Sequence, residues 1–214
     1  MTSAIRSSRP MMMAGGVVLL LALGLVALML VRPSSSAGSA APAAAPSDTS
    51  ADVGFARDMS IHHQQAVEMS FIVRDRTSGV AVRRLAYDII NTQANQRGMM
   101  LGWLEMWGRA KSSGAPPMEW MGHTVTPRGD GSLMPGMATD TELDALRAAK
   151  GKDAEVLFLK LMTAHHRAGA EMAQAAAAAA GTDEIRNLAA GMVRGQQSEI
   201  KLMADMLKER GSTA

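Results

Sequence analysis

The chain has 214 residues, 47% hydrophobic and 20% charged, which excludes both a disordered polymer and a multi-span membrane protein. It contains no Cys, so disulfides, thiolate zinc sites, iron–sulfur clusters, cysteine nucleophiles and cysteine lipidation are excluded as well. Aromatic residues make up 3% against 19 Met, an excess of soft sulfur that core gap-filling does not require.

Residues 1–10 carry Arg6 and Arg9 and read as a cytoplasmic N-terminus. Residues 11–31 contain no charge and are long enough to span a bilayer as one helix. The positive-inside rule then places the rest of the chain outside the cytoplasm. The expectation is a single-pass signal-anchor at the cell membrane. The alternative is a signal peptide, with the small residues of 34–45 open to cleavage and the product secreted. Residues 32–51 are rich in Ala, Pro and Ser and read as a flexible tether. Of 22 Lys/Arg and 20 Asp/Glu, residues 1–51 hold Arg6, Arg9, Arg32 and Asp48, leaving 19 of each sign in the remainder. A balanced domain with no basic stripe gives nucleic acid no foothold.

Residues 52–214 read as one domain written twice. At a constant offset of 103, Phe55, Met59, His62, His63, Glu68 and Met69 recur as Phe158, Met162, His165, His166, Glu171 and Met172. The same offset carries Arg83, Leu85, Ala86, Gln93, Met100 and Leu104 onto Arg186, Leu188, Ala189, Gln196, Met203 and Leu207. The halves are 52–110 and 152–210, joined by a Met-rich loop over 111–151. Each half predicts a helical hairpin. The first has helices over 52–76 and about 80–110, broken at Ser78-Gly79. The second has helices over about 152–180 and 183–209, with Thr182 as N-cap. Thr139 caps a short helix over 140–150. Two such hairpins predict an all-α four-helix bundle.

At about 100° per residue, Phe55, Met59, His62, His63, Ala66, Met69, Ser70 and Val73 share one broad stripe, while Glu68 falls on the opposite side. Glu68 is therefore expected in a salt bridge or neighbouring-helix contact. On the second helices, Ala86, Ile89, Gln93, Met100 and Leu104 share a face, as do Ala189, Met192, Gln196, Met203 and Leu207. Each hairpin aims Met, His, His, Met and Gln inward, over small residues (Ala66, Gly169) that leave room. Buried imidazoles demand partners. One option is packing, with hydrogen bonds to Gln93, Gln196 and water. The other is metal.

Thioether with imidazole, without thiolate or carboxylate, suits copper and Cu(I) in particular. The candidate ligands are His62, His63, His165, His166, Met59, Met69, Met162 and Met172, with Gln93, Gln196, Met100 and Met203 behind them. Zinc would more usually recruit Cys or a carboxylate. No Glu precedes a His by three, which removes the carboxylate-bridged di-iron pattern. The connecting loop adds secondary candidates: Met118, Met121, His123, Met134 and Met137. These either capture metal or pack as a lid on the bundle end. Met99, Met106, Met192 and Met206 remain as plain packing residues. No phosphate loop, nucleophile elbow or His-Glu-x-x-His motif occurs, so no catalytic residue is assigned.

The repeated Met-x-x-His-His-x-x-x-x-x-Met blocks, the helices bearing Gln93 and Gln196, and Met134-Pro-Gly-Met137 together resemble the domain-of-unknown-function 305 family. The match is closest at His165-His166-Arg-Ala-Gly169-Ala-Glu-Met172-Ala. In the first half Gln65-Ala66 stands where the family has Gly-Ala. The resemblance implies a secreted or membrane-anchored bacterial protein with a ferritin-like bundle. It further implies copper binding outside the cytoplasm, as in some members.

The expected function is therefore copper binding, buffering or delivery outside the cytoplasm, with a metal-handling or membrane protein as partner. The alternatives are a helical interaction module that docks on a membrane complex without metal, and a redox metalloenzyme.

Overall fold

The computed structural model describes residues 44–122 and 125–213. The expected anchor over 11–31 lies outside them, as does His123. Among the described residues no helix is long and apolar enough to cross a membrane.

Five α-helices carry the domain: α1 (Ala51–Arg76), α2 (Val80–Met106), α3 (Asp140–Ala148), α4 (Gly151–Ala179) and α5 (Asp183–Glu209). Their starts follow local chemistry. Ser50 accepts from Val53 N at the head of α1, and Thr182 accepts from Ile185 N at the head of α5. Thr139 and Glu142 close a full capping box on α3. The α2 helix ends at Met106, earlier than the expected 110, where Trp107 and Gly108 turn the chain. The connection is loop except for a 3₁₀ turn at Glu119–Met121.

The hairpins α1–α2 and α4–α5 pack through α1 against α4. The head of α1 lies beside the tail of α4, since Phe55 and Met59 share one core cluster with Met172 and Ala176. The offset of 103 survives in space. Arg83 and Arg186 each donate to the carbonyl ending the previous helix, Thr77 O at 3.3 Å and Ala180 O at 2.7 Å. Asp52 and its counterpart Glu155 each reach into the turn of the other hairpin. Asp52 accepts from Gly181 N, Thr182 N and Thr182 Oγ1, and Glu155 accepts from Thr77 Oγ1 and Arg210. Thus identical residues and conservative pairs build the pseudo-two-fold.

All the stripe residues named above on α1, α2 and α5 are buried. Glu68 instead pairs with Arg147 of α3, as its outward position requires. The core has two clusters, one at each end of the bundle. Met59, Met100, Met172 and Met192 lie in one; their counterparts Met162, Met203, Met69 and Ile89 lie in the other. The folded unit takes in the end of the expected tether. It begins at Ala45, and Arg57 holds Asp48 at 2.7 Å while Arg109 Nε donates to Pro46 O at 2.8 Å.

Candidate metal centre

Between the two methionine clusters lies a layer of four imidazoles. His62, His63, His165 and His166 are all buried, at 0–1% exposure. They meet because each His-His pair sits mid-helix on the inward stripe of α1 or α4, the two helices in central contact. The His62 and His165 rings stack with centroids 3.7 Å apart and planes at 34°. His165 and His166 centroids are 6.2 Å apart. Room for this comes from Gly169: a Cβ there would stand 2.6 Å from Gln196 Oε1 and 3.2 Å from His62 Cε1.

The rings are held by few protein atoms. His63 Nε2 faces Gln96 Oε1 at 2.8 Å, His166 Nε2 faces Glu199 Oε2 at 2.6 Å, and His165 Nε2 faces the His62 carbonyl at 2.9 Å. Among the described residues no partner stands in full hydrogen-bond geometry to Nδ1 of any of the four, nor to Nε2 of His62, though the Pro135 carbonyl faces the His62 ring and favours its protonated form. The packing expectation named the wrong amides. Gln93 and Gln196 bond none of the histidines; both polar atoms of Gln93 and Oε1 of Gln196 are themselves buried without a partner. Gln96 and Glu199 were missed because they differ, so a search for identities passes over them. Yet they share the offset of 103 and follow the repeated Gln by three, on the same helix face.

Removal from water, reinforced by the neighbouring His63 ring, pushes the pKa of His62 down to about 3. Burial likewise brings His63 down to about 4, and it drives His165 well below the usual imidazole range with His62 adding to the effect. Imidazoles so depressed are neutral at pH 7 and each keeps one bare lone pair, the form that binds metal.

The eight expected ligands do not form one sphere. Met59 and Met172 lie in the cluster on one side of the histidine layer, Met69 and Met162 in the cluster on the other. Among the described residues, no group of three or more His, Asp or Glu side chains is arranged to hold an ion. The secondary candidates Met118, Met134 and Met137 are not exposed on a polar loop but buried in the Met59 cluster, and Met121 packs against it half-buried. Met192, read as plain packing, joins the same cluster, whereas Met99 and Met106 are exposed and pack no core.

The connection is pinned along α1 and α4 at three points. Asp58 accepts from Met118 N at 2.7 Å and from Trp120 Nε1 at 2.9 Å. Burial raises the Asp58 pKa despite these bonds. Met118 adopts a left-handed backbone, φ 63°, to turn its side chain inward. Gln65 brackets Ala138, donating to its carbonyl and accepting from its N–H. Gly136, φ 75°, lies so close to α4 that a Cβ would meet Ala164 O and Ala168 Cβ at 2.6 Å.

A duplicated all-helical bundle with a central layer of partly unpartnered imidazoles between thioether clusters defines the class of protein. The chain belongs to the family described as domain of unknown function DUF305, whose profile matches residues 52–207. It is similar to a DUF305 protein from Streptomyces coelicolor, provisionally described as secreted, with 57% identity, TM-score 0.73, and 78% of this chain and 98% of that one covered. A DUF305 fragment from Deinococcus radiodurans is 29% identical, TM-score 0.61, covering 74% and 96%. The Cu(II)-bound form of CopM is 26% identical, TM-score 0.58, covering 75% and 97%. No protein of curated function matches the sequence.

Proposed function

We propose that this chain is a copper-binding protein of the cell membrane, anchored by residues 11–31 and tethered through 32–51, with its four-helix domain outside the cytoplasm. It buffers or delivers copper through His62, His63, His165 and His166 with thioethers from Met59, Met69, Met162 and Met172. The observation that carries this reading is the burial of four imidazoles with every Nδ1 lacking a protein partner. Leaving such atoms unpaired costs about 1–3 kcal/mol each, and a cation that takes their lone pairs removes the cost. The donor set fits copper: neutral imidazole and thioether, with no thiolate in the chain to favour zinc. Thioether favours Cu(I) over Cu(II). The relative CopM, solved with Cu(II) bound, supports copper as a metal for this site.

Loop methionines Met118, Met121, Met134 and Met137 close one end of the site and lie where metal would enter or leave; His123 stands in the same segment. The partner is a metal-handling or membrane protein, and the reading is of a carrier rather than a catalyst.

The test is titration of the purified chain with Cu(I) against a competing chelator. The expected result is competition that is lost when all four repeat histidines become Ala. Unchanged affinity in that variant would sink the copper site. If the variant merely loses stability and no metal is found by elemental analysis of protein taken from its native membrane, the interaction-module reading replaces it.

A further inference from the structure

The repeat makes His62 equivalent to His165 and His63 to His166, yet the hydrogen bonds on the two pairs differ. His166 Nε2 stands 2.6 Å from Glu199 Oε2. A carboxylate only accepts, so the ring proton sits on Nε2. His165 Nε2 stands 2.9 Å from the His62 carbonyl, which also only accepts. Both second-half rings are thus held with a proton on Nε2, which leaves Nδ1 as the nitrogen open to a ligand. Both of those Nδ1 atoms are buried and unpartnered.

The first half lacks this definition. His63 Nε2 faces the Gln96 side chain at 2.8 Å. An amide offers a donor or an acceptor after a half-turn, so it suits either tautomer of His63. His62 has no partner in full hydrogen-bond geometry at either ring nitrogen, and the Pro135 carbonyl that faces its ring does not complete a bond.

We propose that His165 and His166 are a preorganised ligand pair, and that Glu199 makes the second half the first to take up a soft metal cation. This rests on the copper reading above and goes beyond it by ranking the halves. Two physical effects point the same way. A ring already locked in the metal-binding tautomer loses nothing to reorganisation on binding. A carboxylate behind an imidazole raises the basicity of the far nitrogen and sets negative charge one ring away from the cation. Gln96, at the corresponding position, does neither. Glu199 is a positioning residue: its side chain is 25% exposed and bonds His166 from the outer side of the bundle, away from the unpartnered Nδ1.

The test uses the full chain in three variants: Glu199→Gln, Gln96→Glu and the double exchange. Long-range proton–nitrogen NMR of the metal-free protein reads the tautomer of each ring, assigned by single His substitutions. Cu(I) titration against a chelator reads the affinity of the first ion. The expected spectrum has His165 and His166 with unprotonated Nδ1 and His63 as a mixture. Glu199→Gln is expected to weaken the first ion by about 10- to 100-fold, the range for a lost partner behind a metal-bound histidine, and to release His166 into a mixture. Gln96→Glu is expected to fix His63, and the double exchange to move the first ion to the first half. A His166 ring protonated at Nδ1, or a first-ion affinity in Glu199→Gln within twofold of the parent, overturns the proposal. If the parent takes up no Cu(I), the copper reading fails; the metal-free spectra then still decide whether the second-half pair is preorganised.

Discussion

The two ends of the bundle are built from equivalent residues and finished differently. At one end Met59, Met100, Met172 and Met192 are covered by Met118, Met134 and Met137 of the connection. At the other, Met69, Met162, Met203 and Ile89 are covered by Leu143 and Leu146 of α3. Duplication alone would give two equal ends. The connection, which has no counterpart in the repeat, stacks thioethers on one and hydrocarbon on the other. A repeated fold thus acquires direction from the segment that joins its copies, and the methionine-covered end becomes the exchange face of the proposed carrier.

The largest expected effect abolishes the contrast by unfolding both ends together. His62 and His63 sit at about 3 and about 4, and His165 lies well below its usual value, because burial disfavours their charged forms. Their unfolded-state pKa is about 6.5. Between that value and the folded ones the unfolded chain binds more protons, so stability is fully present above pH 6.5 and falls as pH drops through the window. Each histidine contributes a slope of up to about 1.4 kcal/mol per pH unit. Urea denaturation of the metal-free protein at pH 7 and pH 5 should show a lower midpoint at pH 5. An unchanged midpoint would mean that the rings are not buried neutral.

A smaller effect separates the ends. Gly136→Ala forces a Cβ into Ala164 O and Ala168 Cβ while φ stays at 75°. The left-handed conformation alone costs about 1–2 kcal/mol for a non-glycine residue, so the expected loss is about 2 kcal/mol or more. Hydrogen exchange should rise first around Met134 and Met137, with the Leu143–Leu146 end little affected. Equal loosening at both ends would show that the connection does not hold its end independently.

Smaller again is Asp58→Ala. The counterpart of Asp58 in the second half is Leu161, so the latch is private to one end. Removing the carboxylate leaves Met118 N and Trp120 Nε1 without their acceptor, at about 1–3 kcal/mol. Trp120 fluorescence should move to longer wavelength in the variant before global unfolding. A Trp120 signal that melts only with the whole domain removes the latch.

These differences mark how far the sequence was readable. Helix stops, Thr139 and Thr182 as caps, and the inward stripe followed from periodicity and turn chemistry, because those signals are local. The offset of 103 placed the histidine layer, because identical residues at one spacing must occupy equivalent sites. What differs between the copies stayed hidden: Gln96 against Glu199, Gln65 against Ala168, Asp58 against Leu161. The burial of Met118, Met134 and Met137 matches the lid that was one of two alternatives; a Gly- and Pro-rich loop has no periodicity to choose between them. Met99 and Met106 erred the other way: they lie off the inward face that Met100 and Leu104 share, and that same periodicity should have placed them outside.

The smallest effect on stability should be the most telling for function. Leu matches Met closely in volume, and such swaps in cores usually cost less than about 1.5 kcal/mol each. Replacing Met118, Met134 and Met137 by Leu therefore leaves the fold intact while making the covered end resemble the other, where Leu143 and Leu146 already stand. The matching change at the opposite end is Met69, Met162 and Met203 to Leu. If the connection confers direction, the first triple variant should slow Cu(I) transfer to a chelator, because the soft surface at the exit is gone, and it should leave the histidine-dependent affinity nearly as it was. The second triple variant should lower affinity without slowing transfer to the same degree, since its sulfurs lie beneath α3 and its leucines. Stopped-flow transfer rates beside equilibrium competition separate the two. Identical behaviour of the two variants would return the molecule to a symmetric container with no preferred end.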